Sequence, residues 1–156
     1  QMRFGQRIKY MCDVDKECMD ELVPAFVLQP LIENAIIHGL SSSSKGGLIY
    51  VRCFKKEDKM WLSVADTGIG IERDKLKNIR RYIDNIFLSP DTKPAATAEN
   101  DNKSDADNGI KRKTVGVGIG NIAYRIKGMY NNSGIKIYSV KDRGTVIQIF
   151  FDNYSK

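Results

Sequence analysis

Val64-Ala65-Asp66-Thr67-Gly68-Ile69-Gly70-Ile71 is the stretch on which the reading of this chain turns. Just upstream, Met60, Leu62 and Val64 alternate with Trp61 and Ser63, the two-residue period of a half-buried strand. Before that, Ile49, Val51 and Cys53 alternate with Tyr50 and Arg52, and the polar Lys55-Lys56-Glu57-Asp58 lies between the two runs. The pair predicts a hairpin. Asp66 then stands at a strand end, followed by two glycines at alternate positions. A carboxylate there lies beside backbone that a flat ligand can approach closely. It can accept hydrogen bonds from an exocyclic amine, as on adenine. A tight turn capped by an aspartate would use the same residues.

Working outward, residues 72–88 predict a helix, with Leu76, Ile79, Ile83 and Ile86 at helical spacing. From Ser89 to Thr114, Ile110 is the sole large apolar residue. That stretch cannot bury enough surface to offset its ordering entropy. A loop of this length inside a compact domain is expected to be a functional lid or disordered. Gly116–Tyr130 predicts a glycine-led helix, and Ile135–Val140 and Thr145–Phe151 two closing strands joined at Lys141–Gly144. Upstream, Ile8, Tyr10, Cys12 and Val14 alternate as a strand. Residues 24–39 predict a helix with Leu28, Ile32, Ala35 and Ile36 on one apolar arc, Pro30 near its start and Gly39 as its stop. Hairpins combined with several helices imply an α+β fold, a two-layer sandwich with one mixed sheet covered by helices on one face. The 156 residues fit one domain, 1–156.

Bulk properties narrow the function less. The net charge is +6, but no Lys/Arg run exceeds Lys111-Arg112-Lys113, so no nucleic-acid partner is expected. Cys12, Cys18 and Cys53 lack a CxxC spacing and the single His38 cannot complete a zinc set, so reduced thiols are expected. No apolar run reaches the length of a membrane span. The chain starts at Gln1 and is expected to be a piece of a longer protein.

Two further segments carry chemistry. In Leu31-Ile32-Glu33-Asn34-Ala35-Ile36-Ile37-His38-Gly39, Asn34 and His38 are one turn apart and off the apolar arc. An amide oxygen there can hold Mg²⁺, which keeps waters and substrate phosphates as its other ligands. Taken alone, the segment reads better as an exposed polar helix face. In Gly116-Val117-Gly118-Ile119-Gly120-Asn121, glycines at a helix start present N–H groups to an anion. The spacing is neither that of a dinucleotide fold nor that of a P-loop. A hinge to the lid is the other reading.

Together, the Asn34 helix, the Asp66-x-Gly68-x-Gly70 turn, the polar stretch, the glycine-led helix and Gly144-Thr145 on the last hairpin resemble the GHKL nucleotide-binding fold. Within it, Phe26-Val27-Leu28-Gln29-Pro30-Leu31-Ile32-Glu33-Asn34-Ala35-Ile36-Ile37-His38-Gly39 is similar to the N box of LytS/YesM-type sensor histidine kinases. Arg3-Phe4-Gly5, Gly118-Ile119-Gly120-Asn121-Ile122 and Arg125-Ile126 resemble the same group.

The resemblance implies an ATP-binding catalytic domain that uses ATP and Mg²⁺. Asn34 would hold the metal, with Glu33 assisting catalysis. Asp66 would bind the adenine amine, joined by Thr145. Gly68, Gly70 and Ile71 would border the base, and His38, Gly116, Gly118, Gly120 and Asn121 would lie along the phosphates. It implies that the phosphoacceptor histidine lies in an upstream dimerisation domain. It also implies a response regulator as partner, and a full-length protein that is a membrane-bound homodimer with this domain on the cytoplasmic side. Ile37 stands where many relatives have Lys, and Gly120 where a larger, often basic residue is common. An ATP-driven clamp, or a degenerate nucleotide-sensing module, are the alternatives. In clamp ATPases a glutamate four residues before the Asn activates water; here that position is Pro30.

The composition of Ser89–Thr114 makes one expectation measurable. Backbone amides across this segment should exchange fast with solvent in the free chain, since such segments come from the low-stability end of a domain. Core-like slow exchange there would contradict the lid reading.

Overall fold

The computed structural model describes residues 8–23, 27–41, 46–90 and 117–152. The elements are β1 (Ile8–Val14), α1 (Leu28–Asn34), a π-helical turn (Ala35–Leu40), β2 (Gly47–Lys56), β3 (Lys59–Asp66), α2 (Arg73–Leu88), α3 (Val117–Met129), β4 (Ser133–Val140) and β5 (Gly144–Asp152). A short 3-10 turn, Lys16–Cys18, follows β1. The predicted Ser89–Thr114 lid, Gly116 and the Arg3-Phe4-Gly5 entry fall outside the described residues, save Ser89 and Pro90.

The strands form one sheet in the order β1-β2-β3-β5-β4. β1 runs parallel to β2, and the other neighbours pair antiparallel, so the sheet is mixed as expected. Lys56 pairs with Lys59, leaving Glu57 and Asp58 as a two-residue loop. Both carry positive φ, 54° and 57°. Two consecutive left-handed residues make the tight turn whose twist matches the flanking strands.

Strand alternation separates two faces. Ile49, Cys53, Met60, Leu62, Val64, Ile137, Ile147, Ile149 and Phe151 point inward, where they share one core with Leu31 of α1, Ile79 and Ile83 of α2, and Ile122 and Ile126 of α3. All three helices therefore cover the same face. Polar anchors fix the helices to the sheet and to one another. The Arg80 guanidinium Nε donates to the Ile137 carbonyl on β4 at 2.9 Å. Lys127 of α3 donates to the carbonyls of Ile86 and Ser89, satisfying the C-terminal end of α2 where the helix dipole favours a cation.

The first helix departs from its sequence reading in two ways. The predicted arc omitted Leu31 and Val27, which are the most deeply buried residues of the segment, while Leu28, Ile32 and Ile36 are only partly buried. The sheet and α3 meet the helix on the Leu31 side, which moves the buried arc toward Asn34 and His38. Gly39 is also not the stop. The helix opens into a π turn in which the Ser41 N–H bonds the Ile36 carbonyl at 2.9 Å, and it ends at Leu40. Gly39 lies inside that turn for a packing reason: a Cβ there would stand 2.6 Å from Asp66 Oδ1.

Phe151 is 1% exposed and its ring lies 4.6 Å from that of Tyr130. Phe151→Ala is expected to cost about 3–5 kcal/mol, the usual loss for a buried aromatic. Val140→Ala, at an exposed position, should stay within about 0.5 kcal/mol. Urea unfolding of the two variants measures the difference.

Candidate functional site

A cavity of about 330 Å³ opens between the helices and the inner ends of β3 and β5, within the size range of small-molecule sites. α1 and the π turn supply Leu31, Asn34, Ala35, Ile37, His38 and Gly39. β3 and the loop after it supply Val64, Asp66, Ile69, Gly70 and Ile71, and the start of α2 adds Glu72 and Lys75. Ile119 of α3 and Thr145 and Ile147 of β5 complete the wall. The lining is mostly aliphatic, with a few polar groups at fixed places.

Asp66 is the most constrained of these. It ends β3 opposite Thr145 of β5. Its Oδ1 accepts the Gly68 N–H at 2.8 Å, and the Thr145 N–H also bonds its carboxyl. Burial pushes its pKa above the ordinary aspartate value, and these two N–H groups oppose the shift. Glycines let the surrounding chain close in. A Cβ on Gly68 would meet the Gly39 carbonyl oxygen at 2.1 Å, and one on Gly144 would meet the Asp66 carbonyl oxygen at 1.9 Å. Gly70, at φ 65°, would meet the Val140 carbonyl oxygen at 2.1 Å.

The loop is tied down on every side. The Ile69 N–H donates to Gly39 O at 3.0 Å, and the Asp142 N–H to Ile69 O at 2.7 Å. Thr67 Oγ1 accepts the Leu48 N–H at 3.0 Å. Ser139 of β4 joins the hairpin to the loop: its hydroxyl accepts the Ile71 N–H at 2.8 Å, donates to Gly144 O at 2.9 Å and lies 2.9 Å from Thr145 Oγ1. Sequence reading missed Ser139. Its signal was a hydroxyl at an inward position of β4, in register with Ile135 and Ile137. Lys75 and Ile119 were also missed, and no sequence signal marked them.

The second group of expected residues is placed as follows. Asn34 and His38 line the cavity, and Asn34 Nδ2 is buried with no hydrogen-bond partner. Gly118, at the start of α3, faces Asn34; a Cβ there would lie 3.5 Å from its amide atoms. Glu33 is exposed and accepts a hydrogen bond from Gln29 Nε2 at 2.9 Å, and it does not line the cavity. Asn121 is exposed and off the cavity. Gly120 faces α2, where a Cβ would meet the Tyr82 ring at 2.7 Å. Gly116 lies outside the described residues.

The family model for the histidine kinase-, DNA gyrase B- and HSP90-like ATPases matches residues 19–155. The chain belongs to that family. The sensor protein LytS of Staphylococcus haemolyticus is 33% identical over 103 residues, 66% of this chain and 17% of that protein. LytS of Staphylococcus epidermidis is 37% identical over 79 residues, 51% of this chain and 13% of that protein. The sensor histidine kinase YpdA of Escherichia coli is 30% identical over 79 residues, 51% of this chain and 14% of that protein. The chain therefore spans less than a fifth of the length of these relatives. Among solved structures, the blue-light activated histidine kinase EL346 of Erythrobacter litoralis aligns with TM-score 0.57 and 15% identity, over 96% of this chain and 36% of that one. The catalytic domain of histidine kinase ThkA aligns with TM-score 0.55 and 16% identity, over 94% and 80%. At these identities the structures show the shared α+β fold.

The glycines near the cavity separate into two kinds. Gly68→Ala sets a methyl against backbone that cannot move aside, and should lower the melting temperature sharply. Gly118→Ala meets only ordinary contact, and inside a helix it should stabilise by up to about 1 kcal/mol. Differential scanning calorimetry separates them; equal effects would contradict the packing described.

Proposed function

We propose that this chain is the ATP-binding catalytic domain of a sensor histidine kinase, which gives the ATP γ-phosphate to a histidine in an upstream dimerisation domain. The supporting observation is Asp66, a carboxylate held by two backbone N–H groups at the wall of a mostly aliphatic cavity. Its free lone pairs suit an exocyclic amine, and Ile71 and Gly70 suit the flat face of a base. Thr145, hydrogen-bonded to Ser139, joins that polar end. At the other end, Asn34, His38, Gly118 and the N-terminus of α3 suit the phosphates.

The residues present fit Mg²⁺ in one limited sense. Asn34 has a buried amide atom without a protein partner, and a carboxamide presents its oxygen or its nitrogen by a half-turn. Among the described residues no cluster of three His, Cys, Asp or Glu could hold a metal. Asn34 would then hold the ion together with nucleotide phosphates and water. When bound, Mg²⁺ neutralises charge on the phosphates. The protein's share is positioning: Asp66 fixes the base, and the α1–α3 end fixes the phosphates in line with an incoming acceptor. Glu33, expected to assist catalysis, is exposed and turned to Gln29, off the cavity, so no part in positioning is assigned to it.

The clamp reading has less support. Pro30 lies in the first turn of α1, four residues before Asn34, and offers no carboxylate to activate water. We further propose a response regulator as partner and a membrane-bound homodimer as the whole protein, with this domain cytoplasmic. No described helix is long and apolar enough to cross a membrane.

Asp66→Ala should leave the adenine amine unpaired and weaken ATP binding by ~1–3 kcal/mol in calorimetry. Only the ionised carboxylate accepts both hydrogen bonds, so wild-type affinity should fall as pH drops through the Asp66 pKa. Because burial raises that pKa, the fall should begin in milder acid than for an ordinary aspartate. Affinity that is unchanged by Asp66→Ala would sink the assignment. With radiolabelled ATP, the chain alone should remain unlabelled. Addition of the upstream histidine-bearing domain should yield acid-labile phosphohistidine, and Asn34→Ala should abolish it.

A further inference from the structure

β1 stands at the edge of the sheet, and among the described residues it pairs only with β2. Ile8 packs partly against the core, while the side chains from Lys9 to Val14 are exposed on both faces. Tyr10 is 59% exposed, Met11 56% and Val14 36%, and Cys12 is exposed too. A seven-residue strand with large apolar groups beside an open row of N–H and C=O groups is a template for another strand.

The sequence of β1 indicates which strand. Written antiparallel to itself about Met11, Ile8-Lys9-Tyr10-Met11-Cys12-Asp13-Val14 sets Lys9 opposite Asp13 at both symmetry-related positions. Tyr10 then faces Cys12, and Ile8 faces Val14. Because neighbouring side chains point to opposite faces, Lys9, Met11 and Asp13 share the face that carries none of the described helices. Two opposite-charge pairs there flank a Met11–Met11 contact. The other face holds only the pairs of Ile8, Tyr10, Cys12 and Val14. A one-residue slip would set Asp13 opposite Tyr10 and Lys9 opposite Val14, losing both ion pairs. The Asp13 carboxylate accepts the Tyr50 hydroxyl at 3.0 Å and lies 3.4 Å from Arg52 Nε, both on β2, so a partner's Lys9 would share it with these groups.

We infer that β1 is an interface between two copies of this chain, joined antiparallel about a two-fold axis at Met11 so that their sheets become continuous. The contact is isologous, the same patch on both copies, and so it closes at two. No β1 residue lines the ATP cavity, so pairing at this edge leaves the nucleotide site open. The inference does not rest on the kinase reading.

Sedimentation equilibrium of the chain tests it, with circular dichroism confirming that each variant is folded. Wild type should show a concentration-dependent monomer–dimer equilibrium. Lys9→Asp and Asp13→Lys each set like charges opposite one another twice, and each should weaken the dimer roughly tenfold or more. Asp13→Lys also loses its contacts to Tyr50 and Arg52, so two further measurements separate pairing from local damage. The double variant Lys9→Asp/Asp13→Lys should regain dimerisation. The two single variants mixed should form a heterodimer, because acid then faces base at both positions. A wild-type chain that stays monomeric at every accessible concentration, single variants that dimerise as tightly as wild type, or a double variant and mixture that fail to recover would each overturn the inference.

Discussion

Three glycines let segments of backbone close in on one another around Asp66, and the site depends on that approach. Gly39 comes from the π turn, Gly68 from the loop after β3, and Gly144 from the start of β5. At each, a methyl group would collide with Asp66 or with backbone. The close approach lets the Ile69 N–H reach the Gly39 carbonyl, which fastens the loop to the first helix. Loop, helix and hairpin thus hold one another, and the carboxylate's direction follows from all three.

The π turn is the second consequence of the same packing. A standard helix through Gly39 would carry its last turn at a tighter pitch. The wider turn brings the Gly39 carbonyl to Ile69 while Asn34 and His38 stay on the cavity wall. Single π turns occur often at functional sites. Here the turn serves two surfaces at once: the aliphatic core through Ala35 and Leu40, and the cavity through Ile37 and His38.

What was legible in the sequence divides along the range of the interactions. The strands could be read because alternation is local, and Ile49, Met60, Leu62 and Ile147 fall inward as their spacing requires. α2 could be read for the same reason, from Leu76, Ile79, Ile83 and Ile86. Asp66, Asn34 and Thr145 could be nominated because each sits in a short motif, and the fold gathers all three on one cavity. The π turn could not be read, because it results from contact with a loop about thirty residues away and not from any local preference. The place of Gly120 was hidden similarly. As a member of a G-x-G-x-G motif it suggested phosphates, yet its bare face receives Tyr82, a residue on the preceding helix. That contact also explains why a small residue suits this position: Tyr82 already fills the volume.

The two faces of the sheet show why its edge matters. No described helix covers the outer face, yet Trp61 is only 8% exposed. Its ring stacks with Phe54 and tilts against Phe150, at 6.0 and 4.9 Å. Cations roof the stack: Lys136 lies 5.0 Å from the Trp61 ring, Lys59 5.0 Å from Phe150 and Arg52 4.9 Å from Phe54. Long charged side chains shield apolar surface while keeping their heads in water, and they attract the ring faces. Over β3, β4 and β5 this arrangement replaces a second layer of helices. β1 has no such roof, since Arg52 is committed to Phe54, Asp13 and Asp15. Met11 and Tyr10 are left open at an edge of the sheet where, among the described residues, the outer backbone groups have no strand partner. The same sheet thus closes itself along most of its outer face and stays open where its strand sequence is self-complementary.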